Sequence, residues 1–151
     1  MRHRVVRVVL FLIEAFVGIS ALLGGLSLLR GAYVQQLPVT WLAGTPFSDY
    51  TVPGLLLVIA VGGSALLAAA TVFIQREWAV LISTLAGVVL AGYLVVEVIC
   101  LDSKSGNALP SVLALQLVYF VAGLATVGLA GYLSMKEYRR EYFEIRHAGH
   151  A

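Results

Sequence analysis

Charge is scarce in this chain of 151 residues, where Asp, Glu, Lys and Arg together make up 12%, and most of it lies at the ends of four long apolar runs. A water-soluble domain of this size has no need of such runs, each close to the roughly 20 residues that cross a bilayer at about 1.5 Å per residue. Cysteine is nearly absent: the lone Cys100 excludes an intramolecular disulfide and Cys-x-x-Cys redox chemistry, and reads as a small apolar core residue. The three histidines, His3, His147 and His150, all lie near the chain ends, so no histidine-based catalytic or metal site can form within the apolar runs. Ser64, next to Gly62 and Gly63, has glycine neighbours like those of an intramembrane serine nucleophile but no histidine base, and reads as a packing residue. His147 and His150 alone make a weak metal pair. No phosphate-cradling glycine loop is present, and the formal charge of +2 sits where membrane topology explains it, which argues against nucleic-acid binding. The sequence therefore predicts no enzyme activity, no metal and no cofactor.

What is present is hydrophobic: 60% of the residues. The expected architecture is a single all-α integral membrane domain, an antiparallel four-helix transmembrane bundle, with spans at about 8–29, 53–74, 78–101 and 111–135 and a tail over 136–151. The first run is too long for a secretory signal, and Arg30 stands where a small-residue cleavage site belongs, so it is read as an uncleaved helix. Pro53 suits the first turn of a helix, where its missing N–H has no intrahelical partner anyway. Gln75, Arg76 and Glu77 read as a tight turn, and Asp102 to Pro110 as a loop.

Of the ten Lys and Arg residues, placing the N-terminus inside puts eight (Arg2, Arg4, Arg7, Arg76, Lys136, Arg139, Arg140 and Arg146) on the cytoplasmic face and leaves Arg30 and Lys104 outside. The bias of basic residues toward the cytoplasm then predicts both termini inside. Tyr33, Trp41 and Tyr50 mark the outer interface, and Trp78, Tyr138 and Tyr142 the inner one.

Small residues recur at helical spacing in every span: Gly18, Ala21 and Gly25; Ala60, Ser64 and Ala68; Ser83, Gly87 and Ala91; Ala122, Thr126, Ala130 and Ser134. Such stripes let helices approach closely where lipid supplies no hydrophobic drive, either within the bundle or between copies of the chain. Two ionisable groups, Glu14 and Glu97, lie within spans, where an unpaired charge costs several kcal/mol. Glu14, about 9 Å from the inner end of its helix, shares a face with Gly18, Ala21 and Gly25 and is expected to point inward. Its expected partners are Gln75, Arg76 or water, as a structural contact or as a proton-binding site. Toward the outer end of the third span, Glu97, Tyr93, Gln116 and Tyr119 are expected to gather, with Asp49 of the first loop above them. This candidate polar site fits a headgroup, a cation or a partner helix, or a self-satisfied network locking the last two spans.

The loop from Gly31 to Val52 is rich in apolar, aromatic and turn residues and is expected to lie on the outer interface or fold over the bundle mouth. Ser48 or Asp49 is placed to cap a turn, and Tyr50 to anchor the segment. The stretch from Lys136 to His147 is expected to continue as a helix, on the lipid surface or toward a protein contact.

The segments Phe11 to Phe16, Pro46 to Leu55, Val61 to Ser64 and Val96 to Val98 resemble a group of small four-span bacterial membrane proteins of unassigned function. That resemblance implies a bacterial plasma-membrane protein and draws attention to Glu14, Asp49 and Glu97. Glu14 in a first helix also resembles the small multidrug transporters, which exchange protons for cationic drugs. The long first loop, the tail and Glu97 depart from their pattern. The functional expectation is a non-enzymatic accessory or interaction subunit whose partners are membrane lipids, another membrane protein or further copies of the chain. The alternative is a small proton-coupled transporter using Glu14 or Glu97.

Overall fold

The computed structural model describes residues 2–31, 38–73, 76–102 and 110–148. Helix α1 spans Arg2–Leu29, and a 3₁₀ turn at Val39–Leu42 follows in the first loop. The second span is α2 at Thr51–Leu56, a π-helical segment at Leu57–Gly63, and α3 at Ser64–Thr71. Helices α4 at Arg76–Asp102 and α5 at Pro110–Ala148 complete the chain, and no strand occurs among the described residues. Among the described residues, four segments are long and apolar enough to cross a membrane: Arg4–Leu29, Thr51–Thr71, Trp78–Ile99 and Leu113–Lys136.

Proline placement helps set these limits. Pro38 and Pro46 lie in the loop, while Pro53 and Pro110 sit in the first turns of α2 and α5, so none interrupts an apolar run. The second span starts at Thr51, two residues before Pro53, because Asp49 Oδ1 accepts the Thr51 N–H at 2.8 Å. Arg76 and Glu77, expected in a turn, are instead the first helical residues of α4. The last helix runs unbroken past the membrane segment to Ala148.

The helices form an antiparallel bundle in which α1 packs on the second span and on α5, and α4 packs on the same two neighbours. Helices α1 and α4 are therefore diagonal to each other. At the α1 crossing with the second span, a Cβ on Gly25 would lie 2.8 Å from the Gly54 carbonyl oxygen and 2.5 Å from the Val58 side chain. Only glycine permits that approach. Directly after the π-helical segment, the Ser64 hydroxyl donates back to the carbonyls of Ala60 and Val61, binding the wider turn to the α-helix that follows.

The core has two parts. One cluster contains Val17, Ala21, Val61, Ala65, Leu90 and Leu94. The other contains Leu10, Val72 and Leu133, flanked by Val6, Phe11, Val80 and Leu129. Between them, on all four spans, the buried residues are small or polar: Glu14, Ala68, Ala69, Ser83, Thr126 and Ala130. The first loop returns to the bundle, with Leu42 buried and its 3₁₀ turn against α4.

Candidate functional site

Glu14 occupies the layer between the two clusters. It is one turn from Leu10 and just under one from Val17, both core residues, so the helical period turns its carboxyl inward; it is 1% exposed. Neither carboxyl oxygen has a hydrogen-bond partner. Across the diagonal, the Ser83 hydroxyl faces it outside hydrogen-bonding geometry and is itself buried without a partner. Gln75 and the side chain of Arg76, the partners expected from the sequence, lie outside the described residues. Thr126, in the same layer, donates its hydroxyl to the Ala122 carbonyl at 2.9 Å and has no proton left for Glu14. Arg7 donates to the Val72 carbonyl at 3.5 Å, two turns from Glu14 toward the end of the bundle that carries Arg4.

At the opposite end, the structure brings Glu97 and Gln116 together: Gln116 Nε2 donates to Glu97 Oε1 at 3.4 Å between α4 and α5. Tyr93, one turn before Glu97, is half-buried against the Val17 cluster. Tyr119 packs on the same cluster and stacks on Phe16 of α1, with ring centroids 6.2 Å apart. Asp49 holds the start of α2 through Thr51 and is exposed. Of the five residues expected to gather here, a direct hydrogen bond joins Glu97 and Gln116 alone, while Tyr119 is drawn toward α1 and Asp49 serves its own loop.

Beside the Glu97–Gln116 pair an apolar groove of about 350 Å³ opens on the flank of α4 and α5, lined by Leu94, Val98, Ile99, Leu113, Leu117 and Phe120 among others. The fourth span is also the least covered, with 17% of its apolar window buried against 28% to 33% for the others.

The loop is held by its own contacts. The Tyr50 hydroxyl donates to the Pro38 carbonyl at 3.3 Å, and partial burial pushes the phenol above its ordinary range. The Thr45 hydroxyl donates to the Leu42 carbonyl at 2.8 Å, closing the turn behind the 3₁₀ segment. His147 as a metal ligand, and its pairing with His150, fall outside the described side chains, and no metal-ligating group of three or more occurs among the described residues.

Ser83 is the residue that site reasoning from the sequence missed. It was visible only as one member of a small-residue stripe; the available signal was a hydroxyl on the same face as the buried Gly87. No family model, curated protein or solved structure matches this chain.

Proposed function

We propose that this protein is a non-enzymatic interaction subunit of the bacterial plasma membrane, with both termini cytoplasmic, which receives a partner transmembrane helix on the outer-leaflet flank of α4 and α5. One observation carries this reading: Gln116, hydrogen-bonded to Glu97, lines an open apolar groove on the least-covered span. Polar side chains within a bilayer ordinarily face a bundle interior, water or a partner, because hydrocarbon leaves their remaining hydrogen-bonding capacity unmet. Gln116 makes one hydrogen bond of the four its amide offers, so a helix bringing a donor or acceptor to this edge would complete the pair. The small-residue faces of the chain fit the same mode of association. The distribution of Lys and Arg supports the orientation.

The test is purification in mild detergent from the native membrane, with wild type and Gln116→Leu compared side by side. The reading expects a second membrane protein retained in fixed stoichiometry by the wild type and depleted severalfold from the variant. Retention of lipid alone contradicts it.

A further inference from the structure

The buried acid at the bundle centre lies far from that flank and is not used by it. From Ser83 to Glu97 is about 21 Å along α4 at 1.5 Å per residue. Glu14 Oε1, Glu14 Oε2 and Ser83 Oγ are buried, unpartnered and turned toward one another between two hydrophobic clusters. We propose that Glu14 and Ser83 form a proton-binding site in the core of the bundle.

The surroundings of Glu14 contain no described counter-charge. On α1 the basic residues with described side chains are Arg4 and Arg7, and Arg7 lies about 10 Å away along the helix, where it donates to Val72. The second span, Thr51–Thr71, has no Asp, Glu, Lys, Arg or His. The described part of α4 has no charged side chain at this depth: Ser83 faces the layer, the neighbouring Thr84 hydroxyl donates to the Val80 carbonyl, and Glu97 and Tyr93 are toward the other end. On α5 the described titratable groups are Tyr119, stacked on Phe16 toward the other end, and Tyr132 and Lys136, with the Lys136 ammonium 4.9 Å from the Tyr132 ring centroid. An anion in this layer is uncompensated, and hydrocarbon penalises it by several kcal/mol.

A serine hydroxyl suits both states of the acid. Once a side-chain rotation brings the two groups into hydrogen-bonding geometry, the hydroxyl can accept from the neutral carboxyl O–H, and after the proton leaves it can turn to donate to the carboxylate. The released proton passes to water. No other bond is made or broken. Ser83 is thus a positioning residue for the Glu14 proton. A proton site of this kind is also what the transport alternative would need.

The experiment is pH-difference infrared spectroscopy on the full-length protein in lipid nanodiscs, in wild type, Glu14→Gln, Glu97→Gln, Ser83→Ala and Ser83→Thr. The proposal expects a titrating protonated-carboxyl C=O band that is lost in Glu14→Gln and kept in Glu97→Gln. In Ser83→Ala that band should shift to higher frequency, and Ser83→Thr should restore it. If Glu14→Gln does not fold, isotope-labelled glutamate in the Glu97→Gln background leaves Glu14 as the sole carboxyl in the spans and makes the same assignment. A Glu14 band that does not change with pH overturns the proposal, and one indifferent to Ser83→Ala removes Ser83 from it. None of these outcomes depends on a partner at the α4 and α5 flank.

Discussion

Glu14 and Ser83 face each other across the diagonal of the bundle, on helices α1 and α4, which are not packing neighbours. The pair meets only because the side chains between them are small, with Ala68, Ala69 and Ala130 all buried at that level. An unsatisfied buried polar group costs about 1–3 kcal/mol, whereas an apolar replacement of similar shape removes that cost. Glu14→Met is therefore expected to unfold at a temperature equal to or above wild type in detergent, while Glu14→Lys unfolds well below it. Thermal melts followed by circular dichroism decide this; a Met variant that melts several degrees lower shows that the carboxyl is satisfied in a way the unpartnered oxygens do not convey.

The glycines of the bundle divide sharply by what surrounds them. A Cβ at Gly25 would strike the Gly54 carbonyl and Val58, whereas Gly92 and Gly128 have nothing within 4 Å of the same atom. Gly25→Leu is expected to destabilise the protein by about 1–3 kcal/mol through overpacking. Gly92→Ala and Gly128→Ala are expected to be neutral or to stabilise by about 0.5–1 kcal/mol, since alanine loses less backbone entropy in a helix. Denaturation midpoints of the three variants, ranked in that order, check the helix packing directly.

Asp49 closes an Asx turn ahead of the second span rather than joining the Glu97 pair. Asp49→Ala should cost about 0.5–1 kcal/mol, the net worth of one side-chain hydrogen bond, and should speed amide exchange at Thr51. Asp49→Asn, which keeps the accepting oxygen, should retain most of the protection. Loss of the Gln116 hydrogen bond to Glu97 in Asp49→Ala would contradict this placement.

The anchor from Tyr50 to Pro38 gives the loop a pH dependence in the alkaline range. Burial raises the folded-state phenol above the ordinary tyrosine value near 10, so the folded loop favours the neutral form. Its contribution is fully present below that value and is lost as pH rises through the higher folded value. Ultraviolet titration of wild type against Tyr50→Phe should show one phenol missing from the late-titrating fraction. A missing phenol at ordinary pH would show that the side chain is solvated.

How much was legible beforehand follows from which features are local. Long apolar runs, proline positions and basic ends are local, and they marked four helices, with the starts of the last three within about two residues of Thr51, Arg76 and Pro110, whereas α1, expected from about residue 8, starts at Arg2. The inward face of Glu14 was equally readable, because Gly18, Ala21 and Gly25 share it. The π-helical turn at Leu57–Gly63 was not, since its extra residue per turn leaves no mark in composition. Nor was Ser83 as the facing group, because the rotation of α4 about its axis is set by packing with two other spans. Tyr119 was placed at the right depth, but its stacking on Phe16 depends on α1 and α5 closing the bundle.

The measurement that tests the proposed docking flank most directly is photo-crosslinking in the native membrane from a probe at Leu117, which lines the groove, against one at Leu23 on exposed α1. The account predicts a discrete protein adduct from Leu117 that weakens severalfold with Gln116→Leu, and lipid adducts alone from Leu23. Lipid adducts alone from both positions would contradict it.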